Sequence, residues 1–335
     1  MNPDPTPVFT ASVDLPVGPD EAFALVTDPE RLRRWAAVCA TVDLRAGGSW
    51  SWLVTPGRTH LAGGTVREVE PGRRLVVGWG WEGDDSLPPD ASTVTVTIQE
   101  TEAGSRLTVE HAGLVGEQLH GHAAGWEHYL ERLERLAVKG DAGPDEWAWA
   151  PEDLDPIIAA YAALATIQPV LRGLTAEDRP KATPCTELTC HQVAVHLMGS
   201  ISDLGAMAGA TVDMPTEGSL ESKVSRMSDQ TLRAWQTRGL EGTVTDPAGH
   251  DLPAAFGPAI LAIELLLHGW DLAQGSGQPM EVSDEVVAYV AELAEPLIPP
   301  GRGRAFADEV EPVAGAGALD RFAAYSGRRP VGSSA

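Results

Sequence analysis

Between Ala262 and Leu272 the chain reads Ala-Ile-Glu-Leu-Leu-Leu-His-Gly-Trp-Asp-Leu, which places Glu264 and His268 four residues apart inside an otherwise apolar run. On a helix, positions i and i+4 share a face roughly 5–6 Å apart, so a carboxylate and an imidazole there can reach one cation. Ile263, Leu265, Leu266 and Leu267 offer nothing polar before Asp271, and a buried charge without a partner is costly. A divalent metal would satisfy the pair. A second helix supplies a third group: Thr189-Cys-His-Gln192 fits a capping box ahead of Val193-Ala-Val-His196, which sets His196 inside the helix. Two neutral imidazoles and one carboxylate suit zinc, or another first-row ion with less preference for oxygen than magnesium. Three protein ligands leave a position open, the mark of a catalytic rather than a structural site. Spacing alone is a weak signal, because Glu-x-x-x-His pairs occur by chance; burial carries the argument.

The elements that must position these groups fall in two halves, as the length of 335 residues leads one to expect. The first half mixes strands and helices. Val8 to Leu15 alternates as an opening strand; Pro19 and Asp28-Pro-Glu-Arg-Leu-Arg-Arg-Trp35 each begin a short helix. Strand patterns follow at 41–44, 49–55, 64–69, 74–81, 93–100 and 106–111, and an amphipathic helix runs from about Glu117 to Val138. The predicted order is one strand, two helices, about six antiparallel strands and one long helix.

That order, with Asp28-Pro-Glu-Arg-Leu-Arg-Arg-Trp35, Ala46-Gly-Gly-Ser-Trp50, Val69-Glu-Pro-Gly-Arg-Arg-Leu75 and Gly125-Trp126-Glu-His-Tyr-Leu130, resembles the helix-grip (START/SRPBCC) superfamily over residues 7–139. Within it the likeness is to bacterial proteins named for similarity to the activator of the heat-shock ninety-kilodalton chaperone ATPase. The resemblance implies an α+β domain in which a curved sheet wraps a long helix around an apolar cavity. It implies binding of a small apolar ligand more than any chemistry, with a chaperone-cofactor role as a weaker reading.

Residues 140–153, rich in Gly, Pro, Asp and Trp, read as a linker. Beyond them 156–173, 189–207, 219–239, 257–275 and 283–297 carry helix-period apolar residues, and strand signals are few. An antiparallel bundle of four or five helices is the economical architecture. Thr183-Pro-Cys-Thr-Glu-Leu-Thr-Cys-His-Gln-Val-Ala-Val-His196-Leu, Glu264-Leu-Leu-Leu-His268-Gly-Trp-Asp271-Leu-Ala and Leu319-Asp-Arg-Phe-Ala-Ala-Tyr-Ser-Gly-Arg-Arg-Pro330 resemble an actinobacterial metal-binding family. That family is related to the N-terminal domain of mycothiol-dependent maleylpyruvate isomerase and to DinB-like four-helix bundles. The likeness spans residues 154–330. It implies an all-α DinB-like bundle with His196, Glu264 and His268 as metal ligands, zinc as the metal and mycothiol as cosubstrate.

A cation with an open position would favour deprotonation of a bound thiol, as a thiol S-transferase or cis–trans isomerase needs; hydroxide there would make a hydrolase. Two departures bear on the transfer. Leu188 stands where the family usually has Trp, a change of packing. The isomerase carries a further C-terminal domain that contributes to its active site, whereas here the helix-grip half stands in front, so maleylpyruvate isomerisation does not transfer. Two expectations result: a metal-dependent thiol transferase or isomerase acting on a small apolar or electrophilic substrate, or a non-catalytic ligand-binding protein with a structural metal.

Other residues read more plainly. His120, His122 and His128 share a helix but not a face, and read as exposed or cavity-lining. Trp50 and Trp52, and Trp79 and Trp81, alternate on strands, so each pair shares a sheet face, as core or as cavity wall. Cys185 reads as a loop thiol and Asp271 as packing or as an acceptor that orients an imidazole. Gly301-Arg-Gly-Arg304 and Gly315-Ala-Gly317 follow no strand, and no Walker, Rossmann or Ser-His-Asp pattern occurs.

A net charge of −24, acidic in both halves, argues against nucleic acid and against an anionic membrane surface as partners. Cys39, Cys185 and Cys190 are too few for a disulfide scaffold and read as free thiols of a reducing compartment. The N-terminal residues lack the basic and apolar regions of a signal peptide, and no apolar run approaches ~20 residues, so a cytoplasmic protein is expected. Abundant Ala, Gly, Arg and Asp with few Lys and Asn match a GC-rich, actinobacterial genome. Oligomeric state leaves no mark in the sequence.

Overall fold

A computed structural model describes residues 8–57, 60–185, 187–247 and 249–332. The N-terminal residues read for targeting features, and Thr186 within the 183–197 motif, lie outside the described residues. The chain divides into two compact units, the first ending at Asp145 and the second beginning at Glu146.

The first unit runs β1 (Val8–Leu15), α1 (Pro19–Thr27), α2 (Pro29–Leu32), β2 (Cys39–Val42), β3 (Ser49–Leu53), β4 (Leu61–Glu70), β5 (Arg74–Trp81), β6 (Ser92–Thr101), β7 (Gly104–Ala112) and α3 (Glu117–Lys139). The element order is the predicted one. All seven strands join one antiparallel sheet in the order β1-β7-β6-β5-β4-β3-β2. Period-two patterning sets the faces: on β6, Val94, Val96 and Ile98 are buried while the threonines between them are half-exposed. Asp28 ends α1 and starts α2, its Oδ1 accepting from the amides of Glu30 and Arg31 at 2.8 and 3.1 Å. The inner face of α3 brings Trp126, Tyr129, Leu130, Leu133 and Leu136 to the core. Antiparallel sheet and long helix together fit the helix-grip fold.

The second unit contains α4 (Glu146–Trp149), α5 (Pro156–Gly173), α6 (Cys190–Met207), α7 (Leu220–Arg238), β8 (Thr243–Thr245), β9 (Asp251–Pro253), α8 (Phe256–Ser276), α9 (Asp284–Ala294), α10 (Ile298–Gly301) and α11 (Ala318–Tyr325). Helices α5 and α8 pack most extensively; α6 lies against α8, α7 against α5, and α6 and α7 against each other, while α9 and α11 also pack on α8. Between α5 and α7 run three polar contacts: Arg172 to Glu221 at 3.1 and 3.2 Å, Gln168 to Ser225 at 3.0 Å and Tyr161 to Asp229 at 3.1 Å. The capping box on α6 is present, with Thr189 N donating to Gln192 Oε1 at 2.9 Å and Thr189 Oγ1 accepting from Gln192 N.

Three expectations need correction. The β8–β9 hairpin interrupts the helical half; three-residue strands are too short for alternation to register. Helix α9 stops at Ala294, because Pro296 cannot continue it. Finally, α8 is long and apolar enough to cross a membrane by length and composition, although Glu264, His268 and Asp271 interrupt its apolar run. Yet 83% of its most apolar window is buried within the protein, as befits the core helix of a packed unit.

Candidate metal centre

The three predicted ligands meet. His196 projects from α6, Glu264 and His268 from successive turns of α8, and their ligating atoms lie within 4.8 Å of one another. Glu264 Oε2 sits 3.4 Å from Nε2 of both His196 and His268. The two imidazole centroids are 4.9 Å apart at 84°. Ligands about 2.1 Å from a tetrahedral ion stand roughly 3.4 Å from each other, so the spacing matches that geometry. Among the described residues no other set of three His, Cys, Asp or Glu side chains converges this closely.

Hydrogen bonding determines what the cluster offers. Nδ1 of His268 lies 3.0 Å from Asp271 Oδ2 and donates to it, leaving Nε2 to face Glu264. Glu264 Oε2 is buried and accepts no hydrogen bond. A lone pair on Nε2 opposite a carboxylate oxygen is repulsive unless a proton or a cation stands between them. Burial alone would raise the Glu264 carboxyl, but the adjacent His268 and His196 outweigh it and hold the group below the ordinary carboxylate range. Burial would likewise lower His268, but Glu264 and Asp271 raise it above the usual imidazole value. The two shifts are one interaction seen from both partners, with the negative charge of Glu264 and Asp271 favouring a positive charge on or beside His268. His268 is 4% exposed whereas the His196 side chain is 49% exposed, so the cluster is walled on the α8 side and open to solvent on the α6 side.

Asp271 itself is fully buried and also receives Arg328, whose Nε lies 3.0 Å from each carboxylate oxygen. Spacing suggested Asp271 as an orienting acceptor; nothing in the local pattern of Gly327-Arg-Arg-Pro330 disclosed its partner, 57 positions away. Cys185 is half-buried, and burial followed by the charge of Asp271 raises its thiol pKa, so it is no ready nucleophile. Cys39, Cys185 and Cys190 are all free thiols.

In the first unit, the tryptophans form a continuous cluster: Trp50 packs on Trp52 and Trp79, and Trp79 on Trp81 and Trp126, with centroids 5.0–5.7 Å apart. Trp50, Trp52, Trp79 and Trp126 line, with Val66 and Leu107, an apolar cavity of only about 30 Å³, space for about one or two water molecules. The tryptophans thus fill most of the volume that the resemblance assigns to a ligand. His122 packs against Trp79, Trp81 and His111, His120 is exposed, and His128 contacts Asp145 at 3.2 Å, so the three helix histidines do not converge.

His111 went unremarked in the sequence, although Leu107, Val109 and His111 share the inward face of β7. Trp126 Nε1 can only donate, so His111 Nδ1 accepts from it at 3.1 Å; Nε2 then donates to Ser92 Oγ at 2.9 Å, which donates to Trp79 O at 3.0 Å. Burial, then proximity to His122, lowers His111 to about 3 and keeps it neutral.

Residues 16–137 match the family described as activator of Hsp90 ATPase homolog 1-like protein, and the first unit is a domain of that helix-grip type. Two uncharacterized proteins of Mycobacterium tuberculosis, from strains CDC 1551 / Oshkosh and ATCC 25618 / H37Rv, are each 25% identical over 182 residues, 52% of this chain and 98% of theirs. Among solved structures, the AHSA1-like protein RHE_CH02687 of Rhizobium etli is 34% identical over 45% of this chain and 92% of its own, with a TM-score of 0.36. CalU16 of Micromonospora echinospora is 31% identical over 41% and 76%, with a TM-score of 0.33. An Hsp90 activator from Plasmodium falciparum is 23% identical over 40% and 96%, with a TM-score of 0.33.

Proposed function

We propose that the second unit is a metal-dependent enzyme domain of the thiol-transferase or isomerase class, in which His196, Glu264 and His268 hold a divalent cation, zinc by its donor set. The observation that carries this reading is the buried Glu264 oxygen 3.4 Å from two imidazole nitrogens, one of them oriented by Asp271. Bound there, the cation would supply Lewis acidity and lower the pKa of a coordinated thiol or water. The protein's own groups do the rest. Glu264 offsets one unit of cation charge, Asp271 fixes the tautomer of His268, and the exposed side of His196 leaves an approach for a cosubstrate. Mycothiol is the proposed thiol, following the resemblance of the 183–197, 264–273 and 319–330 motifs, and the proposed setting is the cytoplasm.

For the first unit the family match supports a ligand-binding or chaperone-activator role, and we assign it a small apolar or electrophilic ligand. With a cavity of about 30 Å³, such a ligand must displace indole rings as it enters. Metal analysis after dialysis tests the central claim: one equivalent is expected in the wild type and none in His196→Ala or His268→Ala. Metal-dependent consumption of mycothiol with a model electrophile then separates an enzyme from a structural metal site. Stimulation of a heat-shock chaperone ATPase by the full chain, with no metal retained, would instead favour the cofactor role.

A further inference from the structure

Two consecutive residues of α8, just after His268, are gripped by the segment that follows α10. Trp270 Nε1 donates to Asp320 Oδ1 on α11 at 2.8 Å, and Asp271 receives Arg328. Arg328 is nine-tenths buried, and its Nη1 donates to Ser326 Oγ at 3.0 Å. Ser326 Oγ and the Arg328 amide both donate to the carbonyl of Ala323, at 2.7 and 3.0 Å. Gly327 between them has φ +89°, and a Cβ there would stand 2.7 Å from Ala307, so the turn requires glycine. The turn thus holds the guanidinium with its Nε toward one carboxylate. An aspartate carboxylate rotates broadly about χ2 when unconstrained. Arg328 Nε, 3.0 Å from both oxygens, holds the carboxylate by a bifurcated contact, and Oδ2 lies 3.0 Å from His268 Nδ1.

We propose that Arg328 is a positioning residue of the metal centre, acting through Asp271 to turn His268 Nε2 toward Glu264 and His196 before a cation arrives. The proposal rests on the reading of those three residues as cation ligands. It makes the 318–330 segment part of the metal-binding unit, where an ion pair serving only to dock α11 would leave metal affinity unchanged.

Cobalt titration of the full chain, followed by visible absorption and by competition with a chromophoric chelator, tests it. Arg328→Met and Asp271→Asn are each expected to weaken cobalt binding about 10- to 100-fold and to alter the absorption band. The double variant should bind no more weakly than Asp271→Asn alone, because one residue acts through the other. Should Arg328→Met fail to fold by circular dichroism, Arg328→Lys keeps the charge but loses the Nε contact with Asp271 and the Nη1 tie to Ser326, and an affinity loss of about tenfold is expected. Wild-type cobalt binding combined with single variants within twofold of it and an unchanged band would overturn the proposal, as would fully multiplicative losses in the double variant. If the wild-type chain binds no cobalt, the ligand assignment falls and takes this proposal with it.

Discussion

Each unit contains a pair of imidazoles in nearly the same mutual geometry. His111 and His122 lie 5.0 Å apart at 87°, His196 and His268 4.9 Å apart at 84°. Their chemistry is opposite. Around His111 stand tryptophans and a serine, and burial holds it neutral down to about pH 3; around His268 stand Glu264 and Asp271, which raise it although it too is buried. Ring spacing therefore does not set the chemistry of an imidazole pair. The carboxylate between the rings of the second pair does, because it supplies the negative charge that favours a proton, or the proposed cation, there.

The largest expected effect comes from removing that difference. Glu264→Gln should weaken zinc binding by at least about 100-fold, measured by chelator competition, whereas His111→Phe should leave one equivalent bound. Retained affinity in Glu264→Gln would break the comparison.

Acid stability comes next. Above pH ~6.5 His111 is neutral folded or unfolded, so its contribution is complete; as pH falls from there toward about 3, only the unfolded chain takes the proton and stability drops. The expected loss is on the order of a few kcal/mol, read from the melting temperature of the wild type across that range. His111→Phe should flatten this slope while lowering stability at neutral pH. His268, shifted the other way, adds nothing to that acid loss.

A smaller contrast separates two indoles of the same cluster. Trp126→Phe strips His111 Nδ1 of its donor and should cost about 1–3 kcal/mol in denaturant unfolding. Trp79→Phe removes a buried N–H that has no hydrogen-bond acceptor and should cost less, despite equal loss of ring area. Smallest of all, Cys185→Ser should leave zinc affinity within about twofold, since a neutral thiol raised by burial adds little to the site.

Much of this was legible in the sequence. Sequence patterning located every strand of the first unit to within a few residues: β6 and β7 alternate because one face is buried, whereas β5 is a continuous apolar run buried on both faces. The capping box and the i, i+4 spacing placed His196, Glu264 and His268 on helices, and the apolar neighbours of Glu264 and His268 marked those two as turned inward, whereas His196 is half-exposed. What sequence spacing could not convey was pairing across the fold: Arg328 with Asp271, His111 with Trp126, and the closing of the tryptophans over the cavity. These depend on which elements pack together, and no local period records that. The β8–β9 hairpin escaped for a different reason, its strands being shorter than the pattern that reveals one.

The three polar contacts between α5 and α7 have a mechanical meaning for the metal centre. Residues 161, 168 and 172 on one helix meet 229, 225 and 221 on the other, so the rungs run in opposite directions along the chain and recur about once or twice every two turns. Sliding α7 by one turn, roughly 5.4 Å, would strand fully buried Glu221 without its guanidinium, a penalty of several kcal/mol. The rungs act as a vernier that admits a single registry. Since α8 lies against α5, the helix that carries Glu264 and His268 packs on a partner whose own register against α7 is set by these rungs.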